Sequence, residues 1–155
     1  MKKKRKNGNN KSKIFLLTTL LVGTLSLVAS IIQLLLTSNR NPVLLFKFIS
    51  SGYFGKKALL KGDIMVAYGI GFHYLIAGIW VLLFFAIYPK LKWTLNQFWI
   101  GVAYGIMIWC SMYLVVIPLS NAPKVQGEIT QAIITVLITI FTVAIPIVTM
   151  QRKLS

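Results

Sequence analysis

At 155 residues, 57% of them hydrophobic, the chain is too apolar for an ordinary soluble domain, where that share is about 45–50%. Seventeen Lys and Arg against two acidic residues, Asp63 and Glu128, give a formal net charge of +15, and one His and one Cys exclude an internal disulfide or a Cys/His metal cluster. The positive charges cluster at the ends of apolar runs, which points to anionic lipid headgroups as partner rather than nucleic acid.

Residues 1–13, MKKKRKNGNNKSK, carry seven positive charges and almost no apolar surface, so a disordered basic tail at the membrane face is expected. Residues 14–36 follow as the first apolar span. Its core is longer than the roughly 7–15 residues of a signal peptide and no small-residue cleavage site ends it, so it reads as an uncleaved anchor. Thr18, Ser26 and Ser30 can return their hydroxyls to backbone carbonyls one turn back.

Residues 37–62 are too polar to span. Asn41-Pro42 is a helix start, with Leu44, Leu45, Phe48 and Ile49 on one face, Lys47, Ser50 and Ser51 opposite, and Gly52 as the stop. A second short turn, Lys56 to Lys61, ends at Gly62. Both pieces are expected to lie in the interface on the far side from the termini, lysines toward phosphates.

The second span, 64–88, opens on Asp63 as N-cap and closes at Tyr88-Pro89. At about 1.5 Å per residue it crosses the roughly 30 Å hydrocarbon core with some tilt. His73 sits near its middle, and Gly69, His73, Ala77 and Trp80 share one face that should meet other helices. An ionisable ring at that depth is costly, so His73 marks either a packing seam or a proton-handling site; the packing seam is favoured, because no second carboxylate or histidine lies in any span.

Lys90, Lys92 and Trp93 make a boundary turn before the third span, 98–117, where Gly101 and Gly105 are spaced for close backbone approach. Pro118 and the run Ser120 to Lys124 end it. The fourth span, 129–150, has Thr135, Thr139 and Thr142 near one face, and Pro146 should kink it before the tail 151–155. Trp80 and Trp109 read as packing groups, Trp99 and Trp93 as interface anchors, and Cys110 as an inert thiol.

The fold class expected is therefore all-α, a four-span bundle with a short interfacial amphipathic segment between the first two spans. Eleven positive charges fall on the side of the termini and six on the other, which places both termini in the cytoplasm.

The strings Ser51-Gly52-Tyr53-Phe54-Gly55-Lys56, Gly69-Ile70-Gly71-Phe72-His73-Tyr74-Leu75-Ile76-Ala77 and Tyr88-Pro89, with Gly101, Gly105, Ile117-Pro118-Leu119-Ser120 and Ile145-Pro146-Ile147, resemble the YagU-like family of small bacterial inner-membrane proteins. The likeness covers roughly residues 15–150 and implies a four-span bundle in the cytoplasmic membrane with no assigned activity. It also implies a second histidine in the last helix of several relatives, where this chain offers Thr139 and Thr142.

Catalysis finds little footing, since the paired residues that hydrolases and transferases need are missing. No cofactor or metal is expected. Lys56, Lys57 and Lys61, beside the backbone N–H at Gly55, are candidate lipid-phosphate contacts, with a plain solvated edge as the simpler reading. Two functions remain: a non-catalytic envelope protein working through lipid or protein contacts, and a homo-oligomeric conductor with His73 on its path.

Overall fold

The computed structural model describes residues 2–38, 40–91, 96–124 and 129–152. Lys92, Trp93, Glu128 and Lys153 lie outside the described residues. Four helices are long and apolar enough to cross a membrane: Lys11–Ser38, Ile64–Lys90, Gln97–Leu119 and Ile129–Gln151. A shorter apolar helix, Val43–Phe54, stands between the first two. The chain is a four-span helical membrane protein, all-α as its apolar runs dictate.

The spans alternate in direction, so Ser38, Ile64, Leu119 and Ile129 gather at one end of the bundle, the connection end. Lys11, Lys90, Gln97 and Gln151 gather at the terminal end. Large apolar side chains such as Leu16, Leu75, Leu82 and Phe141 face outward, as lipid requires.

Several boundaries differ from expectation. The first helix begins at Lys2, so the helix of the first span extends through the basic segment. Lys and Arg are good helix formers, and an existing helix extends without a new nucleation cost. The second span's helix runs through Pro89 to Leu91, although the proline has no N–H to give to the preceding turn.

Pro118 and Pro146 are each preceded by a wide turn. Met112–Val116 and Ile140–Ala144 are π-helical, and the residue before each proline reaches five back: Ile117 N–H to the Met112 carbonyl, Ile145 N–H to the Ile140 carbonyl. The extra residue in the turn makes room for a proline ring that would otherwise strike the preceding carbonyl.

Lipid tails are as apolar as leucine, so the bundle is held by close packing and hydrogen bonds more than by burial. The tight part lies toward the terminal end, where Val22, Val81, Phe84, Tyr88, Ile100, Tyr104, Ile108, Ile147 and Val148 form one cluster. Toward the connection end, neither Met112–Val116 nor Ile129–Thr139 contains a buried residue. The third and fourth spans are tightly packed below and looser above.

The short helix stands between the first two spans as expected, but its serines are not on an exposed face. Ser50 and Ser51, assigned to a polar face, have no exposure, and their hydroxyls turn back to Lys47 and Phe48 carbonyls at 2.9 and 2.6 Å. A buried hydroxyl needs such a partner, and the helix supplies its own. Asn41 caps the start through Oδ1 to Val43 N–H at 3.0 Å. The helix passes Gly52 and stops at Gly55, whose φ of 72° only glycine adopts freely. Asn121, after the third span, then binds the helix end: its N–H meets the Gly52 carbonyl at 3.0 Å and its Nδ2 the Tyr53 carbonyl at 3.2 Å. Those two carbonyls are among the orphans every helix C-terminus leaves. The short helix is thus docked on the bundle at both its face and its end.

Candidate functional site: the His73 seam

His73 joins the second span to the first. Its Nε2 lies 2.9 Å from the Gly23 carbonyl oxygen and 3.2 Å from Ser26 Oγ. A carbonyl can only accept, so Nε2 carries the proton and donates to Gly23. Ser26 Oγ also sits 2.8 Å from the Val22 carbonyl, the one-turn-back bond its spacing suggested.

The neighbouring ring explains why residue 23 is glycine. A Cβ there would fall 2.6 Å from both Cδ1 and Cε1 of Tyr74, far inside van der Waals contact. The Tyr74 ring lies on the bare backbone, its hydroxyl 2.9 Å from Thr24 Oγ1, while the His73 ring meets it edge-on at 5.8 Å. Two consecutive residues of one helix therefore grip a single turn of the other.

The shared face of the second span is real, but it meets three different neighbours. Gly69 receives the short helix: a Cβ there would lie 2.6 Å from the carbonyl carbon and 2.9 Å from the Cα of Phe46, and closer still to the carbonyl oxygen. His73 reaches the first span, and Ala77 is buried. Trp80 lies edge-on to Tyr104 of the third span, whose hydroxyl donates to the Trp80 carbonyl. His73 is thus a two-helix contact, not the meeting point of all four spans.

Gly101 and Gly105 work within the chain. Gly105 faces the π-turn of the fourth span, where a Cβ would be 2.7 Å from Ile140 Cγ1 and 3.1 Å from its Cα. Gly101 has a looser neighbour, Val148 Cγ2 at 3.5 Å, and lines a cleft of about 130 Å³ with Phe98, Ile145 and Thr149.

Lys56, Lys57 and Lys61 are exposed on and just after the turn Lys56–Leu59. The Gly55 N–H beside them is not available to an anion, because it bonds the Ser51 carbonyl at 2.8 Å. Next to this turn Tyr53, Phe54, Tyr68 and Phe72 pack ring against ring, with centroids 5.0 to 6.3 Å apart. Tyr53 is 72% exposed. Among the described residues no three His, Cys, Asp or Glu side chains gather in a metal-binding group.

One polar contact escaped the sequence reading. Gln33 Nε2 of the first span donates to Gln131 Oε1 and Thr135 Oγ1 of the fourth, each at 3.2 Å. The available signal was Ser26, Ser30, Gln33 and Thr37, spaced four, three and four apart along one stripe.

No family model, curated protein or solved structure matches the chain.

Proposed function

We propose that this is a non-catalytic protein of a bacterial cytoplasmic membrane, with cytoplasmic termini, that works by holding anionic headgroups at its connection end. The motif likeness to the YagU-like family supports the envelope setting, and the charge distribution supports the orientation. The observation that carries the lipid reading is the platform made by the docked short helix. It sets the exposed Lys56, Lys57 and Lys61 beside the aromatic group of Tyr53, Phe54, Tyr68 and Phe72. Aromatic rings settle at headgroup depth and ammonium groups reach the phosphates. The lysines, not backbone N–H groups, would hold the charge.

The alternative, an oligomeric conductor with His73 on its path, has less support. The imidazole Nε2 is engaged with a backbone carbonyl, and beneath it Val22, Val81, Phe84 and Ile147 form a fully buried apolar layer.

Thermal unfolding in nanodiscs tests the lipid reading. Replacing phosphatidylcholine by phosphatidylglycerol should raise the midpoint of the wild-type protein. Lys56→Gln/Lys57→Gln/Lys61→Gln should lose most of that rise, as should high salt. An equal rise in both proteins overturns the proposal.

A further inference from the structure

The stripe Ser26, Ser30, Gln33, Thr37 makes one side of the first span polar from its middle to the connection end. Ser26 is turned to His73 of the second span, and Gln33 to Gln131 and Thr135 of the fourth. The stripe therefore lies in the angle between those two spans.

That angle is open. The fourth span comes close to the second chiefly through its last segment, Ile145–Arg152, near the terminal end. Its first segment, Ile129–Thr139, has no buried residue. Ser26, Ser30, Gln33, Gln131 and Thr135 are half-buried and Thr37 at the end is exposed, so the stripe is not sealed in protein.

Below His73 the packing changes abruptly. Val22, Val81, Phe84 and Ile147 have no exposure at all, and Tyr88 has 2%. This layer is apolar and continuous across the first, second and fourth spans.

Ser26, Thr37 and Thr135 return their hydroxyls to their own helices, and Gln33 Nε2 bonds the fourth span. The Ser30 hydroxyl, Gln33 Oε1 and Gln131 Nε2 have no such partner among the described residues, and polar atoms facing a gap in hydrocarbon are costly unless something answers them. An acyl chain cannot do so; water can. We infer that the bundle holds a one-sided aqueous vestibule, open at the connection end, lined by Thr37, Gln33, Ser30, Ser26 and Gln131, and floored by His73. Its occupants are water and small hydrogen-bonding solutes, and it does not continue to the other face. The inference does not depend on lipid binding by the lysines.

Because Cys110 is the only cysteine, replacing it by serine gives a clean background for single-cysteine variants. A small, charged, membrane-impermeant thiosulfonate is applied to oriented proteoliposomes from the connection end. Thiols react as thiolates, which form where water reaches, so Ser30→Cys should react within about tenfold of Thr37→Cys at the mouth. Val28→Cys, at similar depth but facing lipid, and Val22→Cys, in the sealed layer, should be slower by about a hundredfold or more. Ser30→Cys as slow as Val28→Cys overturns the vestibule, and Val22→Cys as fast as Ser30→Cys overturns the floor. Should the cysteine disturb the seam, magnetisation transfer from water to the His73 ring protons in the unmodified protein decides instead. Transfer is expected, and its absence refutes the proposal.

Discussion

Replacing Gly69 by alanine should loosen the short helix Val43–Phe54. The added Cβ would stand 2.6 Å from the carbonyl carbon and 2.9 Å from the Cα of Phe46. Carbon atoms rest about 3.5–4.0 Å apart, so the two backbones must separate by about 1 Å. Both are helical, and no side-chain rotation relieves the clash. A short helix that withdraws as a rigid body also stretches the Asn121 bonds to Gly52 and Tyr53, now 3.0 and 3.2 Å, toward the limit of about 3.5 Å. Overpacking costs about 1–3 kcal/mol and the two bonds, stretched rather than broken, together about 1 kcal/mol, for a total of about 2–4 kcal/mol. Hydrogen exchange over residues 43–54 reads this directly. Their amides should exchange about thirty to a thousand times faster in Gly69→Ala. Gly71→Ala is the control, since nothing lies within 4 Å of a Cβ there. It should stay within about 0.5 kcal/mol of wild type. If the two variants exchange alike, the backbone contact between the short helix and the second span is wrong.

Other substitutions extend the same reasoning. Gly105→Ala should lower the unfolding midpoint more than Gly101→Ala, because the first meets Ile140 Cα at 3.1 Å and the second only a methyl at 3.5 Å. Gly23→Ala should destabilise the bundle through the Tyr74 ring, and adding Tyr74→Ala should recover part of that loss, a non-additive result readable in detergent unfolding. Gln33→Leu should cost about 0.6–1.7 kcal/mol in the same assay, the range for hydrogen bonds between membrane helices. His73→Phe should cost a similar amount by removing the donor to Gly23.

Length and hydropathy made the four spans legible, because a bilayer admits few other solutions for such a chain. The Asn41 start and the shared face of Gly69, His73 and Ala77 were legible from helical periodicity alone. What that face would touch was not. Gly69 could have served any close approach, and only the fold shows a non-spanning helix occupying it. Ser50 and Ser51 were misplaced because a serine that bonds its own helix can be buried at little cost, so its polarity misreports its exposure. Pro146 was read as a kink and Pro118 as an end, since a single sequence gives no sign that a π-turn will precede the ring. Gln33 and Gln131 stayed hidden for a different reason: each is a lone amide in an apolar run, and their pairing depends on which spans are neighbours.

His73 is the sole histidine, so its ring signals need no assignment by elimination. The most direct measurement is nitrogen-15 and carbon-13 NMR of the protein in bilayers, with labels in histidine and glycine. A proton on Nε2, with a dipolar contact to the Gly23 carbonyl carbon, is the result expected from the seam described above. An Nε2 without its proton, or a ring whose contacts are to acyl chains, would contradict it.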